Sequence, residues 1–592
     1  MPDRTVLDLY RHDVESPRPR HYAHWFPGGR RYFSTDEFFL NTSALAESLA
    51  GLGVGAGDRL MLLSDNRPEW HMVDLAALDL GAVDVPLYST LTPEQIAYQA
   101  VDSGATVAVA ENAEQMARFL EVRERCPNLQ HLIQIEGPCE PGVASLQEVV
   151  EAGDVAGAEE RFWDRAKKVE PEQLLTIIYT SGTTGEPKGV MLTHDNLVQN
   201  VLYSAHRVPV RRDDLVLEFL PLCHVLERMV GYIYMWRSTA KAYCSIYHVG
   251  DLLPDIQPTI FVGVPRFYEK VRQTILERVA EAPAPRRALF RWALGIGRQA
   301  FIQRNAGTPP TGVFARRYDL ADRLVLSKVR AGLGGRLRYC LSGGAELPLF
   351  VNEFFHSLGI MLVEGYGLTE TSPVIAVNGA DPGMLRLGTV GKILDNLDIK
   401  FARDGELLVR GPSIMKGYWN KAPETREVFD RDGFFHTGDV AEIDDEGFLL
   451  IVDRKKDIIV TAGGKNVAPQ AIEAQLNLSP WIDTVVLIGD RRPYIVALIS
   501  PDFGELERWA EDRGVEYANL EDLVEQPKVV NFFEEMIAGY NAPFARYEQI
   551  KRVRLLPVSL TVEDGHLTPT LKVKRRVIEQ EFGHLIETMY AS

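Results

Sequence analysis

The stretch that decides the fold reads Tyr179-Thr-Ser-Gly-Thr-Thr-Gly-Glu-Pro-Lys-Gly-Val190. The apolar run Leu174-Leu-Thr-Ile-Ile-Tyr leads into it and predicts a strand, so the loop leaves the end of a strand. Its glycines free the backbone so that N–H groups can converge on an anion. Its hydroxyl side chains add donors, and Lys188 adds a positive charge. These features favour a polyphosphate-binding loop over a plain polar surface turn.

The loop is not a Walker A motif. The pattern G-x-x-x-x-G-K-[ST] fails, because the glycine–lysine spacing differs and Gly189 follows the lysine. The residues that we expect to contact the phosphates are Thr180, Ser181, Gly182, Thr183, Thr184, Gly185 and Lys188.

Around this loop, short apolar runs alternate with amphipathic helical patterns. Leu60-Met-Leu-Leu and Thr106-Val-Ala-Val-Ala are typical of buried strands, and Ala44-Leu-Ala-Glu-Ser-Leu-Ala is typical of a helix. This alternation predicts βαβ units and a mostly parallel sheet, which is the α/β class. After Arg386, short strands separated by glycine and aspartate turns predict an antiparallel β-rich unit. Past Arg454 a smaller α+β segment runs to the end.

The composition sets limits on function and location. The 592 residues carry a net charge of −18, which argues against a nucleic-acid-binding protein. The five cysteines are scattered without a C-x-x-C pair, which disfavours a zinc site and a disulfide framework. The first residues lack the apolar region of a signal peptide, and no run of about 18 apolar residues follows. We therefore expect a cytoplasmic protein, and peripheral contact at the inner face of the membrane is left open.

Residues 269–332 form an arginine-rich helical stretch. Prolines at 283, 285, 309 and 310 divide it. We interpret it as a surface helical insertion, in preference to a membrane-docking device.

Four further motifs follow the loop in order. They read Gly365-Tyr-Gly-Leu-Thr-Glu370, Thr437-Gly-Asp439, Asp453-Arg-Lys-Lys-Asp457 and Thr568-Pro-Thr-Leu-Lys572. Together with the loop they resemble the signatures of the AMP-forming adenylate family, which includes acyl-CoA synthetases, peptide-synthetase adenylation domains and firefly luciferase. The similarity runs from about Arg30 to the C-terminus and points to bacterial long-chain fatty acid–CoA ligases.

The resemblance implies an architecture of two domains. Residues 1–453 would form a large, multi-layered αβαβα domain with a distorted β-barrel portion, which binds the nucleotide. Residues 454–592 would form a small, mobile α+β domain that carries the catalytic lysine. The charged turn that begins at Arg454 is the expected boundary.

The nucleotide site is expected to bind ATP with Mg²⁺. Tyr366 lies between two glycines, so the backbone can approach a flat ring while the phenol stacks on it. Glu370 is a hard oxygen ligand beside phosphates, as Mg²⁺ prefers, and Thr184 is implied as a second ligand. Asp439 is expected to accept hydrogen bonds from the ribose. The other implied nucleotide contacts are Gly343, Gly344, Ala345, Glu364, Gly365, Gly367, Thr369, Arg454 and Lys456.

Lys572 is the expected catalytic cation. Adenylation brings two anions together, a carboxylate and an α-phosphate, so a positive charge that contacts both stabilises the transition state. Many relatives have glycine where Leu571 stands, although the long-chain subgroup does not. The surrounding basic residues leave open that Lys572 is a surface charge. The resemblance implies four more residues in the chemistry: Lys188, Thr369, Glu370 and His224.

The second step is expected to use a different face of the small domain. Lys456 is implied as the hinge, and Gly463, Gly464 and Lys465 would then line the pantetheine tunnel of coenzyme A. Val460 stands where many relatives have a lysine, so that phosphate contact is not carried over.

The acyl group is expected near Leu220-Pro-Leu-Cys-His224-Val-Leu-Glu227 and residues 258–268, which resemble parts of long-chain acyl-CoA synthetases. His224 would lie near the carboxylate, because a lone H-x-x-E pair is weak evidence for a metal. The apolar residues that would line an alkyl channel, unless they are ordinary core, are Phe219, Leu222, Val225, Phe261, Val262 and Val264.

We therefore predict an AMP-forming long-chain fatty acid–CoA ligase. One alternative is a ligase that delivers the acyl group to a carrier-protein phosphopantetheine. Another is a non-catalytic nucleotide-binding or lipid-binding protein, against which the intact set Lys188, Glu370, Asp439 and Lys572 argues. Acyl chain length stays open, and so does the oligomeric state, for which the family suggests a homodimer.

Overall fold

The computed structural model describes residues 3–180, 186–462, 465–542, 544–561, 564–567 and 573–591. Eight of the predicted site residues lie outside these ranges: Ser181, Gly182, Thr183, Thr184, Gly185, Gly463, Gly464 and Lys572.

Within the residues that the structure describes, the strands are short and fall into five sheets. In chain order they are β1 (Tyr22–Phe26), β2 (Gly29–Phe33), β3 (Arg59–Leu63), β4 (Val83–Leu87), β5 (Val107–Ala110), β6 (His131–Gln134), β7 (Ala144–Ser145), β8 (Leu174–Thr180), β9 (Lys188–Thr193), β10 (Leu215–Glu218), β11 (Ala240–Tyr243), β12 (Ile260–Gly263), β13 (Tyr339–Ser342), β14 (Met361–Gly367), β15 (Val374–Val377), β16 (Lys392–Ile393), β17 (Asp398–Phe401), β18 (Glu406–Arg410), β19 (Gly417–Tyr418), β20 (Phe435–Ile443), β21 (Leu449–Arg454), β22 (Ile459–Val460), β23 (Asn466–Val467), β24 (Ile482–Ile488), β25 (Ile495–Pro501) and β26 (Ile550–Leu555).

Helices connect most of these strands. They are α1 (Val6–Val14), α2 (Thr35–Gly51), α3 (Pro68–Asp79), α4 (Pro93–Ser103), α5 (Ala113–Val122), α6 (Leu146–Ala152), α7 (Ala158–Ala166), α8 (His194–Arg207), α9 (Val225–Trp236), α10 (Val249–Ile256), α11 (Pro265–Ala280), α12 (Ala284–Asn305), α13 (Gly312–Ala321), α14 (Ser327–Ala331), α15 (Leu349–Ser357), α16 (Ala422–Glu427), α17 (Pro469–Leu476), α18 (Phe503–Asp512), α19 (Leu520–Glu525), α20 (Pro527–Tyr540), α21 (Arg575–Glu581) and α22 (Gly583–Tyr590). In the described part of the chain, none of them combines the length and apolar character needed to span a bilayer.

Two large mixed sheets confirm the α/β prediction. One has eight strands in the order β19-β9-β8-β4-β3-β5-β6-β7, and the other has nine in the order β16-β15-β14-β13-β12-β10-β11-β1-β2. Their central strands run parallel, and β4 and β5 are buried along their whole length. Burial on both faces is expected where crossover helices cover a parallel sheet.

The signature loop joins two strands of a hairpin. β8 and β9 pair antiparallel, with Thr180 opposite Lys188. The loop therefore leaves the end of a strand, as predicted, and a second strand follows it. The outer edge of β9 pairs with β19, which puts Val190 opposite Tyr418.

The predicted β-rich unit after Arg386 includes a four-stranded antiparallel sheet, β17-β18-β20-β21. In the described residues this sheet is open, so it takes the place of the distorted barrel that we expected. Its last two strands put Asp439 opposite Arg454.

The C-terminal domain is smaller and has the predicted α+β character. Its main sheet, β24-β25-β26, pairs antiparallel on one side of β25 and parallel on the other. Its buried apolar residues form two clusters drawn only from positions 459–589, whereas the clusters of the large domain are drawn from positions 6–449.

Candidate active site

A cavity of about 1370 Å³ brings most of the described motif residues together. Pockets for one small molecule commonly measure about 300–1,000 Å³, so this volume can hold more than one. The predicted site residues that line it are Thr180, Lys188, His224, Gly343, Gly344, Ala345, Gly365, Tyr366, Gly367, Thr369, Glu370, Arg454 and Lys456. Glu364, Asp439 and Lys465 are not among its lining residues.

Lys188 and Glu370 both contact Tyr418. The Lys188 Nζ lies 4.9 Å from the centre of the Tyr418 ring, and the Tyr418 hydroxyl donates to Glu370 Oε1 at 2.9 Å. Burial and the neighbouring carboxylate raise the pKa of Tyr418, so its phenol keeps its proton and remains a donor. In the described part of the chain neither charge has an ion-pair partner. Tyr418 could not be identified from the sequence, because only the pairing of β9 with β19 brings it beside Lys188.

Tyr366, Asp439 and Arg454 form a connected group beneath the cavity. The Tyr366 hydroxyl donates to Asp439 Oδ2 at 2.5 Å, and Arg454 Nε lies 3.1 Å from Asp439 Oδ1. Burial is the main cause that raises the pKa of Tyr366 well above its ordinary value, and the negative charge of Asp439 adds to it. Asp439 thus lies behind the lining wall and holds both neighbours in place.

Glu364 connects the two walls of the expected adenine slot. Its Oε1 accepts a hydrogen bond from the Leu347 amide at 3.1 Å, which ties the segment after Ala345 to β14. The side chain is only 4% exposed, and burial raises the pKa of Glu364 to about 8, with a further contribution from Glu346. At neutral pH the Glu364 carboxyl group is therefore protonated, and its hydrogen bond holds the two segments together.

His224 caps the N-terminus of α9 and lines the cavity. Its Nδ1 accepts from the Leu226 amide at 3.2 Å, so the neutral ring carries its proton on Nε2. Glu227, one turn on, is buried, and burial together with Glu218 raises its pKa well above the ordinary range. In the described residues no group of three or more His, Cys, Asp or Glu side chains is placed to hold a metal ion.

The apolar end of the cavity differs in part from the predicted channel. Val225 and Val262 line the cavity, whereas Phe219, Leu222, Phe261 and Val264 do not. The two phenylalanines pack against each other and against Phe267 instead. Alternate residues of a strand face opposite sides, so in β12 Ile260 and Val262 face the cavity and Phe261 faces the core.

Part of the apolar lining that sequence reasoning missed comes from α9. Met229, Val230 and Ile233 recur there at helical spacing after Val225. Other apolar residues that line the cavity include Val208, Val210, Ile260, Val374 and Val377. Nine residues of helix separate His224 from Ile233, which is about 13 Å. The apolar region is therefore elongated.

The C-terminal domain contributes another wall. Lys572 lies outside the described residues, but Val573 lines the cavity and pairs across a β-bridge with Leu567. Arg575, also at this wall, is held by Glu473 at 2.8 Å. The exposed Lys465 lies elsewhere, with its Nζ 5.9 Å from the Tyr547 ring centre.

Solved structures share this architecture. The crystal structure of an anthranilate CoA ligase in complex with anthranoyl-AMP matches with a TM-score of 0.73 and 18% identity, covering 98% of each chain. The adenylation domain of a carboxylate reductase from Mycobacterium chelonae matches with a TM-score of 0.74 and 22% identity, covering 100% of this chain and 92% of that one. At these identities the likeness shows the fold.

Sequence comparison shows the family. Long-chain-fatty-acid–CoA ligase FadD15 of Mycobacterium bovis is 37% identical over 99% of this chain and 97% of its own. The peroxisomal long chain acyl-CoA synthetase 6 of Arabidopsis thaliana is 32% identical over 95% of this chain and 82% of its own. Residues 11–419 match the AMP-binding enzyme family, and residues 456–592 match the AMP-binding enzyme C-terminal domain. With the motifs gathered at one cavity, these matches establish that the chain belongs to the AMP-binding enzyme family.

Proposed function

We propose that the protein is an AMP-forming long-chain fatty acid–CoA ligase. A carboxylate oxygen attacks the α-phosphorus of ATP, the bond to pyrophosphate breaks, and an acyl adenylate forms. The thiolate of coenzyme A then attacks the acyl carbon, and the carbon–oxygen bond to AMP breaks. The observation that carries this proposal is a cavity lined both by charged motif residues and by apolar residues of α9. The names of the relatives support the same substrate class.

The charged end is proposed to bind the nucleotide. Residues 343–345 and Tyr366 would enclose the adenine, and Asp439 with Arg454 would hold the ribose. Lys188 and Thr369 would contact the phosphates. Glu370 fits Mg²⁺, because it presents a carboxylate at the cavity whose described partner is a neutral phenol. When bound there, the ion neutralises charge on the polyphosphate.

The acyl end is proposed to begin at His224. Its Nε2–H can donate to the substrate carboxylate and orient it toward the α-phosphorus. The apolar face of α9 would then remove the alkyl chain from water, at about 0.8 kcal/mol for each buried CH₂.

The two half-reactions are proposed to use two arrangements of the domains. We place the domain boundary at Arg454, where the buried clusters of the two domains separate. Lys572 would approach the carboxylate and α-phosphate in the first step. Rotation about Lys456 would then present residues 463–465 to coenzyme A.

We further propose a cytoplasmic location with peripheral contact at the inner face of the membrane. The support is the substrate class, since long-chain acids partition into bilayers.

The test is an AMP-release assay with ATP, Mg²⁺ and coenzyme A over carboxylates from acetate to oleate, together with ATP–pyrophosphate exchange. We expect exchange and acyl-CoA formation with long-chain acids. Lys572→Ala should slow exchange by about a hundredfold to a thousandfold, while the same-charge control Lys528→Ala, at an exposed lysine away from the cavity, stays within a few-fold of wild type. ADP as product, or no exchange with any acid, refutes the proposal. Acyl adenylate that persists without acyl-CoA indicates a carrier-protein acceptor instead.

A further inference from the structure

Residues 284–331 differ in charge from the rest of the chain. They hold ten Lys or Arg against two Asp, a net charge of +8 within a protein of −18. They comprise α12, α13, a π-helical segment (Asp322–Leu326) and α14, and we name them the cationic helices. Most of these positive charges have no acidic side chain as an ion-pair partner in the described part of the chain. Arg298 pairs with Glu353 at 3.0 Å and Arg330 with Asp322 at 2.7 Å, and the other eight make no ion pair within the described residues.

The cationic helices also expose apolar side chains. Of the twenty large apolar side chains exposed on the described surface, six lie in these 48 residues: Leu289, Trp292, Ile302, Val313, Leu320 and Leu324. Single exposed apolar residues are ordinary, but such a concentration marks an interaction surface.

The outward face of α12 is organised as a stripe. Its exposed positions 288, 292, 295, 299 and 302 recur every three or four residues and contain no charge. The opposite face is buried on the body, where a Cβ on Gly297 would lie 1.9 Å from the Ser357 carbonyl oxygen. Arg291 and Arg298 run along one edge of the stripe, at helical positions next to Trp292 and Ile302. The buried face of α12 is apolar too, with Phe290, Ala293 and Ala300, so α12 has uncharged faces on both sides, whereas an ordinary surface helix has a polar outward face.

The next helix repeats the arrangement. Val313, Leu320 and Leu324 are 70%, 49% and 39% exposed and share one helical face with Arg317. Arg316 and Arg323 flank that face. Apolar side chains that point outward between arginines characterise helices that lie in the interfacial layer of a bilayer, where the arginine stems cover apolar surface and the guanidinium groups reach anionic lipid.

The cationic helices are also connected to the apolar end of the cavity. Asn305, at the end of α12, donates to the Leu385 carbonyl at 3.1 Å. The amide of Ala380, in the same loop, donates to the Arg207 carbonyl at 3.1 Å, next to Val208 in the cavity wall. One short loop therefore separates the cationic helices from the segment that closes the apolar region.

We propose that the cationic helices dock onto an anionic lipid bilayer, with Trp292, Ile302 and the exposed face of α13 inserted among the headgroups. An acidic protein or a nucleic acid would use the charges but not the apolar stripes. This surface would make the peripheral membrane contact that the proposed function includes. The inference rests on that membrane contact and not on the ligase activity. It takes up the membrane-docking alternative to our interpretation of residues 269–332 as a surface helical insertion.

The test is co-sedimentation of the full chain with phosphatidylcholine vesicles, with and without phosphatidylglycerol, at rising KCl. We expect binding only with phosphatidylglycerol, and weakening with salt. Each Lys or Arg near an anionic surface raises the membrane partition coefficient about fivefold. The double substitution Arg317→Glu/Arg323→Glu removes two such charges and should therefore lower vesicle binding at least about thirtyfold. The control Arg403→Glu/Arg431→Glu makes the same change in net charge at exposed arginines elsewhere and should stay within a few-fold of wild type. Trp292→Ser/Ile302→Ser should reduce the binding that persists at high salt.

Three results overturn the inference: wild type that fails to bind anionic vesicles, equal losses in the two arginine variants, or arginine variants that change oligomeric state while vesicle binding is unchanged. The arginine variants should also make acyl-CoA from octanoate at the wild-type rate without vesicles, which shows that they are folded. If no protein makes acyl-CoA but vesicle binding behaves as expected, the proposed function fails and the docking surface stands.

Discussion

Glu364→Gln tests whether a protonated carboxyl group holds the adenine slot together. The Glu364 side chain is buried behind the slot and accepts the Leu347 amide proton. A glutamine keeps the shape and the accepting oxygen but cannot ionise. The substitution therefore changes one property of the site, namely its response to pH.

The magnitude follows from the pKa. Burial raises the pKa of Glu364 from 4.5 to about 8, and one pKa unit corresponds to about 1.4 kcal/mol. The folded state binds this proton more tightly than the unfolded state, so the stabilisation is complete below pH 4.5 and is lost as pH rises through about 8. The whole shift from 4.5 to about 8 corresponds to about 4–5 kcal/mol in the free energy of unfolding, and about 3 kcal/mol of this is lost between pH 6 and pH 9. The glutamine variant lacks this loss.

The assay is the free energy of urea unfolding of the large domain at pH 6 and pH 9. We expect wild type to lose about 3 kcal/mol more than Glu364→Gln over this interval. The KM for ATP should rise above pH 8 in wild type only, because an ionised Glu364 would lie beside Glu346 and loosen the slot. Glu160→Gln, at an exposed glutamate of α7, should keep the wild-type pH dependence. Parallel pH profiles for wild type and Glu364→Gln would refute the reasoning.

Three other predictions follow from the cavity. Tyr418→Phe removes the hydrogen bond to Glu370 and should lower kcat/KM for ATP about tenfold in pyrophosphate exchange, with a higher Mg²⁺ requirement; an unchanged Mg²⁺ titration would contradict this. Ile233→Trp fills the far part of the apolar lining and should shift the preferred acid to shorter chains in the carboxylate panel, whereas a uniform loss would not fit. Lys456→Pro should leave pyrophosphate exchange largely intact and depress thioester formation, since the Lys456 amide donates to no acceptor in the described residues; equal loss of both would count against the hinge.

Much of the large domain could be predicted from local pattern. The run at Leu60 forms β3, the run at Thr106 leads into β5, and the helical pattern around Ala44 lies within α2. Each of these patterns spans one element, so its period is visible in a few consecutive residues. The motifs were also visible in the sequence, because their glycine, hydroxyl and charged residues stand close together there, and described members such as Lys188 and Tyr366 line the cavity.

The acyl lining could not be predicted in the same way. Phe261 and Val262 are equally apolar, and only the direction of β12 relative to the sheet decides which faces the cavity. Tyr418 is more than two hundred residues from Lys188 and reaches it only through the pairing of β9 with β19. A sequence identifies a polar site by its unusual residue types, whereas an apolar site consists of the same residues as the core.

The contacts of Asp439 connect nucleotide binding to the linker between the domains. Asp439 joins Tyr366, on the adenine side, to Arg454, and the Arg454 carbonyl accepts the amides of both Asp457 and Ile458. Arg454 thus has two roles. Its carbonyl anchors the turn between the two domains, and its guanidinium group is held by Asp439, the expected ribose contact. A nucleotide whose ribose hydroxyls donate hydrogen bonds to Asp439 would compete with Arg454 for the same carboxylate. The ribose stays bound from ATP through the acyl adenylate, and its position empties only when AMP departs. We therefore expect the hold of Asp439 on Arg454 to change when the nucleotide enters and when AMP leaves.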